Sequence, residues 1–156
     1  MSDDWFILAS ALGKMLAEVD GVGVVYVRED YPLVEDELNA FLKENPDTED
    51  INAWVVTRVQ VNQNKILLPP SKFYRVHGFT IRGYQSVASD SYLRFNSLVD
   101  VVLTAFTPPR RLDVGDAVLE DLPEASMRYT RIAEGLPLLH QVDIRVPVKQ
   151  LISIYS

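Results

Sequence analysis

The chain has 156 residues, the length of one domain, and is 47% hydrophobic and 24% charged, a balance that excludes disordered, collagen-like and coiled-coil classes. It contains no cysteine, so disulfides, thiolate metal sites and thiol nucleophiles are excluded as well. Its 22 acidic and 15 basic residues give a net charge of −7, which disfavours nucleic acid as the main ligand, and neither a signal peptide nor a membrane span is expected.

The first fifty residues favour a helix, a strand and a second helix. Apolar residues recur at helical spacing from 5 to 19, and Asp3 or Asp4 is suited to cap the first turn. The β-branched run 21–27 then predicts a buried strand. Residues 32–45 again place apolar side chains at helical spacing among acidic ones, which indicates a second helix before an acidic loop.

Two long strands are predicted next. Between residues 52 and 62 apolar side chains alternate with polar ones, as in a strand that has one mostly apolar face and leaves Trp54 and Arg58 available on the other. In the second strand, from Phe73 to Tyr84, the apolar positions change phase part-way along. A bulge at His77-Gly78 would reconcile the two phases.

The remaining elements are a third helix, a loop and two more strands. In chain order they are a helix capped by Ser89 or Asp90 and ended by Pro108-Pro109, a loop with one helical turn at 110–124, strands at 127–133 and 138–148, and a docked apolar tail at 151–155. Pro147 indicates a strand end or a sheet edge, because proline has no N–H to donate. This order predicts an α+β fold, a single domain over 1–156 with a mostly antiparallel sheet of about five strands and two to three helices.

Charge is distributed unevenly along the chain. Residues 1–50 carry 13 acids and 3 bases, a net −10, and residues 90–156 carry 9 acids and 7 bases, a net −2. The 39 residues between them carry no acid and five bases, namely Arg58, Lys65, Lys72, Arg75 and Arg82. Two interpretations remain open: the basic hairpin binds the acidic part of a neighbouring subunit head to tail, or it pairs with acids of its own subunit.

The sequence carries no catalytic signature. Phosphate-loop, nucleophile-elbow and zinc-protease motifs do not occur, and Gly21-Val22-Gly23 precedes a strand where a dinucleotide loop would follow one. His140 falls in the apolar phase of its strand, as a core histidine with a hydrogen-bond partner would, while His77 at the expected bulge is the candidate for a catalytic role. The acidic clusters lack calcium-loop spacing and are interpreted as a solvated face. We therefore expect a protein that is not an enzyme and has no cofactor or metal.

Aromatic and arginine side chains are concentrated in the acid-free segment. These are the residue types enriched at protein interface hot spots, and the candidates for a subunit or partner interface are Trp54, Arg58, Tyr74, Arg75, Arg82 and Tyr84. The same mixture can stack single-stranded bases, but the net charge of −7 would repel phosphates.

Two stretches carry a family resemblance. The segment 77–84, HGFTIRGY, is followed by Ser89-Asp90-Ser91 and the amphipathic run 95–106, and the closing strand contains LHQVDIRVPV at 139–148. Together with the leading helix, they make the chain resemble the small tail-terminator and related tail-completion proteins of long-tailed bacteriophages and prophages. The resemblance lies in element order and covers most of the chain.

That resemblance implies a structural protein that forms a ring, usually a hexamer, on the last ring of tail-tube protein, ends tail growth and presents a surface for head attachment. The partners it implies are further copies of the chain, the tail-tube protein and a head-completion or connector protein. DNA would pass through the lumen without specific binding. The location it implies is the tail–neck region of the virion, after assembly in the host cytoplasm. Two alternatives remain: a head-closure or other neck connector, and a ferredoxin-like small-molecule-binding module or enzyme that uses His77, with Arg75 or Arg82 holding an anionic ligand.

Overall fold

The fold is known from a computed structural model, which describes residues 4–27, 32–45, 51–65, 72–112, 114–119 and 121–153. The helices are α1 (Asp4–Ala17), α2 (Pro32–Glu44) and α3 (Ser91–Ala105). The strands are β1 (Val24–Val27), β2 (Asn52–Lys65), β3 (Lys72–Ser86), β4 (Arg110–Arg111), β5 (Val118–Leu119), β6 (Glu124–Thr130) and β7 (Leu139–Ser153). The side chains of Asp3 and Asp4, expected to cap α1, and the end of the apolar tail lie outside this description.

Within the described residues the strands form one mixed, seven-stranded sheet that curls into a half-barrel. Its order is β1-β2-β3-β7-β5-β4, and β6 also pairs with β7. In these ranges β1 alone pairs in parallel, with β2, and the other ladders are antiparallel. The α+β class is confirmed, whereas the expected sheet of about five strands is too small.

Both faces of the sheet bury apolar side chains. One face packs against α1 and α3 and includes Val56, Ile81 and Ile144; we call it the α1/α3 face. The opposite face, which we call the α2 face, packs against α2 near the start of β2 and includes Val55 and Tyr84. Because successive strand residues point to opposite faces, β2 contributes to both clusters, which explains its long apolar run.

The helices follow their predicted apolar spacing. Leu8, Leu12 and Leu16 are fully buried at intervals of four residues, so α1 turns one stripe towards the sheet. The predicted third helix is confirmed as α3, but its expected side-chain cap is wrong. Asp90 occupies the N-cap with φ 64° and makes no side-chain capping bond, whereas the Ser91 hydroxyl accepts a hydrogen bond from the Ala88 N–H at 2.9 Å.

The strand expected to be buried at 21–27 is an edge strand. It begins at Val24, which is 56% exposed, and its remaining residues are half-buried. β1 pairs with β2 and stands first in the strand order of the sheet. A short β-branched run therefore indicated a strand correctly, but its composition does not distinguish a central strand from an edge.

The β-bulge lies in β2 rather than at His77-Gly78. The β2–β3 register shifts between Arg58 and Gln60, which leaves Val59 as the additional residue, while β3 pairs with β7 without interruption. The two apolar phases of β3 simply face opposite sides of the sheet. Because a bulge reverses the phase of its strand, Val61 lies opposite His77 on the α1/α3 face and not on the α2 face with Val55. Val59 and Val61 are 58% and 40% exposed.

The C-terminal part differs from prediction in length. The segment expected to be a loop with one helical turn contains β4 and β5, whose short ladder joins the sheet at Lys149. The predicted strand at 127–133 is β6 at 124–130, and β7 extends to Ser153. Pro147 lies where the pairing of β7 with β6 has ended, at Arg145, and its pairing with β5 has not begun, a local edge that matches its missing N–H.

Candidate interaction surface

Two of the six predicted interface residues belong to the core. Trp54 is completely buried and donates a hydrogen bond from its indole N–H to Asn52 Oδ1 at 2.7 Å. Gly83 lies opposite it in the register, and a Cβ there would be 2.5 Å from the indole ring. Tyr84 is 1% exposed and donates from its hydroxyl to Glu35 Oε1 at 2.7 Å. Trp54 was expected on an available face, and that expectation is wrong.

Arg82 is paired within its own chain. Its Nε donates to Asp143 Oδ1 at 2.6 Å, and its Nη1 lies 3.7 Å from Glu35 Oε1. Burial opposes the charged form, but the hydrogen bond and the charge of Asp143 outweigh it and raise the pKa of Arg82. Burial and the bond to Glu35 raise the pKa of Tyr84 too, so this network of two acids, one arginine and one tyrosine holds α2 to the sheet. For Arg82 the interpretation of pairing within the subunit is confirmed.

Arg58 and His77 form a different cluster, on the α1/α3 face. Arg58 Nη1 lies 3.4 Å from His77 Nδ1, and His77 Nε2 lies 2.9 Å from Gln150 Oε1. The guanidinium of Arg58 also lies 5.8 Å from the centre of the Trp5 ring at the start of α1. His77 is completely buried, so its ring supports Arg58 from within and is not open to a substrate.

Arg75 and Tyr74 lie further along β3, on opposite faces. Arg75 donates two hydrogen bonds to Gln63 Oε1, at 2.9 and 3.0 Å, which orient its guanidinium without neutralising it. On the α2 face, Lys149 Nζ lies 3.8 Å from the centre of the Tyr74 ring. Neither Arg58 nor Arg75 has an ion pair with any side chain that the structure describes. Burial, and then the charge of Arg75, lower the pKa of Arg58, as expected for neighbouring cations.

Charge is therefore segregated along the long axis of the strands. Residues 58–65 of β2, 72–79 of β3 and 146–153 of β7 form what we call the ribbon end, which carries Arg58, Arg75 and Lys149. The opposite end of the same strands is covered by acidic α2. Arg82, which contacts α2, and Arg75 are seven residues apart on β3, on the order of 23 Å at the usual rise per residue. That exceeds the screening length of about 8 Å at physiological salt, so Arg75 does not neutralise α2. Arg58 lies opposite Phe79, about 10 Å along the strand from Arg82, but on the other face of the sheet.

Both histidines of the chain are buried. His140 is 4% exposed, its Nε2 lies 2.8 Å from Ser91 Oγ, and its ring stacks on Phe95. The predicted core histidine is confirmed, and burial lowers its pKa.

A 630 Å³ groove beside Val59 and Leu122 contains none of the six predicted residues. No group of three or more potential metal-ligating acids or histidines occurs in the described ranges, and no helix there is long and apolar enough to cross a membrane.

Sequence reasoning missed the partners of these residues. Glu35 joins Arg82 and Tyr84, and Gln63 and Gln150 orient Arg75 and His77. The signal for Glu35 was its place on the inner side of α2, one turn before Leu38 and two turns before Leu42, whereas the two glutamines follow only from strand register. Neither the family models nor the curated proteins contain a match to this chain.

Proposed function

We propose that this protein is a non-enzymatic assembly subunit that binds copies of itself head to tail in a closed ring. The resemblance to phage tail-terminator proteins implies the role of that ring. A ring of this kind, usually a hexamer, would cap the tail-tube protein, end tail growth and present the surface for a head-completion or connector protein.

One observation carries the proposal: the basic ribbon end and the acidic α2 lie at opposite ends of the same strands. When two complementary patches on one subunit are too far apart to bind each other, each can bind the matching patch of a neighbouring subunit. A contact between two different patches is heterologous. When such a contact closes by rotation it produces a ring. The net charge of −7 suits a lumen through which DNA moves without binding.

The proposed contact depends on Arg58 and Arg75 and not on Arg82. Asp143 and Glu35 already neutralise Arg82 inside the subunit. Arg58 and Arg75 are oriented by His77 and Gln63, neither of which is an acid. A head-closure or other neck connector would use the same contact and remains within the proposal, whereas the burial of His77 counts against the small-molecule module.

The test measures assembly directly. Light scattering across protein concentration is expected to give particles several times the subunit mass of 17.7 kDa, visible as rings by electron microscopy. Raising NaCl from about 50 mM to about 500 mM should reduce the particle mass, because salt screens the charged contact. The double variant Arg58→Glu/Arg75→Glu should stay monomeric.

The matched control is Arg94→Glu/Arg131→Glu, which changes the net charge equally at two exposed arginines, on α3 and just after β6, outside the ribbon end. It should assemble like the unmodified chain. A chain that is monomeric at every concentration and salt level would overturn the proposed self-association. Assembly of Arg58→Glu/Arg75→Glu with unchanged mass and salt response would overturn the proposed contact.

A further inference from the structure

The first turn of α1 presents apolar side chains next to the ribbon end. Phe6 and Ile7 are 47% and 49% exposed, although the same helix buries Leu8 completely. Trp5 packs edge-on against Phe6, with ring centres 5.7 Å apart, and on its other side lies within cation–π distance of Arg58. The result is an apolar patch bordered by an arginine, the composition typical of interface hot spots.

The exposed face of α2 has the complementary composition. Phe41 is 41% exposed, while its neighbours Leu38 and Leu42 are buried against the sheet. Helical spacing places Glu37 one turn before Phe41 and Glu44 one turn after it, and both are exposed. Lys43 is exposed as well, but Asp36 and the two glutamates leave the face acidic. Phe41 is thus an aromatic side chain with carboxylates on either side.

We infer that α2 of one subunit docks on the α1 patch of a second copy of this chain, with Phe41 seated against Phe6 and Ile7 and with Glu37 and Glu44 facing Arg58 and Arg75. This inference rests on the proposed function, since it identifies the contact by which that assembly forms. The occupant is a second copy because charge and apolar composition match on the two patches.

The physical chemistry favours this pairing over a contact of charges alone. Exposed ion pairs contribute little to affinity on their own, so a stable junction requires buried apolar area as well. An aromatic anchor that fills a pocket while charged groups close its rim is the usual arrangement at protein interfaces. Like charges would meet if two α2 helices or two α1 patches came together, so the contact is directional.

The absence of cysteine permits a clean cross-linking test. Two single variants, Ile7→Cys and Ala40→Cys, would place one thiol beside the α1 patch and one beside Phe41. Mixed in equal amounts and treated with a short bismaleimide, they are expected to give a covalent dimer that contains one copy of each. The control mixture pairs Ala40→Cys with Val101→Cys, an exposed position on α3 that belongs to neither patch. It should give at most a small fraction of that product.

A second measurement separates this contact from assembly in general. Phe41→Ser should weaken self-association about tenfold or more, as for a hot-spot aromatic, while Val101→Ser changes it less than twofold. If the chain forms rings but the Ile7→Cys and Ala40→Cys thiols do not cross-link and Phe41→Ser assembles normally, this inference is overturned while the proposed function stands. If no multimers form at all, the proposed function itself is overturned.

Discussion

At the scale of single residues, Gly83 and Trp54 depend on each other. Because a Cβ on residue 83 would overlap the indole ring, Gly83→Ala forces the ring or the strand to move. We expect a loss of about 1–3 kcal/mol in the free energy of unfolding, measured by urea denaturation. In a Trp54→Leu background the same alanine should cost much less, since the ring is gone. Equal costs in the two backgrounds would contradict this account of the glycine.

Arg82 is expected to support the fold of the isolated subunit. Arg82→Met leaves Asp143 and Glu35 without their shared cation, and removing one partner of a partly buried charged hydrogen bond costs about 1.5–3 kcal/mol. The control Arg145→Met breaks a longer, 3.8 Å contact with Glu124 that is largely exposed, and should change the free energy of unfolding by less than about 0.5 kcal/mol. Similar effects of the two variants would contradict a structural role for Arg82.

His140 should make stability depend on pH. Burial lowers the pKa of His140 in the folded chain, so the unfolded chain binds a proton first as the pH falls. Its contribution is complete above about pH 6.5, the ordinary histidine pKa, and decreases below that value. Urea titrations at about pH 7.5 and about pH 5.5 should show a smaller loss of stability for His140→Gln than for the unmodified chain. An identical loss in both proteins would show that this ring does not contribute.

At the scale of whole elements, the strands differ in how they are held. β3 pairs along its full length with β2 and β7, whereas β6 pairs with β7 alone within the described residues, and all but the last of its seven residues are exposed. We expect hydrogen exchange at low protein concentration to be much slower in β3 than in β6, because edge elements open without global unfolding. Equal protection of the two strands would contradict the exposure of β6 as an outer strand of the isolated subunit.

The sequence predicted the elements better than their surroundings. Spacing alone indicated α1, α2, α3 and the long strands, because a 3.6-residue or two-residue period records which side chains face a core. It did not reveal that Trp54 is buried, because the face of β2 that was expected to be exposed packs against α1 and α3. When both faces of a strand are buried, the alternation of apolar residues does not identify one exposed face. Nor did it locate the bulge at Val59, because the phase change in β3 is explained equally well by two covered faces.

The predicted interface residues show the same limit of local sequence patterns. The acid-free composition identified the segment correctly as basic, yet it treated Arg58, Arg75 and Arg82 alike. What separates them is strand register, which brings Asp143 beside Arg82 and Gln63 beside Arg75. Register arises from pairing between residues distant in sequence, which no local pattern encodes.

At the scale of the whole molecule, the two charged ends make an interchange of charge the decisive test. Asp36→Lys/Glu37→Lys/Glu44→Lys should prevent self-association for the same reason as Arg58→Glu/Arg75→Glu, since each variant brings like charges together. Mixing the two proteins creates one junction in which both sides are reversed, basic α2 against an acidic ribbon end. The second junction, acidic α2 of the ribbon-end variant against the basic ribbon end of the α2 variant, keeps the original charges, so we expect the mixture to form rings in which the two proteins alternate, measured by light scattering and electron microscopy. A mixture that contains monomers only, or rings formed by either variant alone, would contradict a head-to-tail contact of these two surfaces.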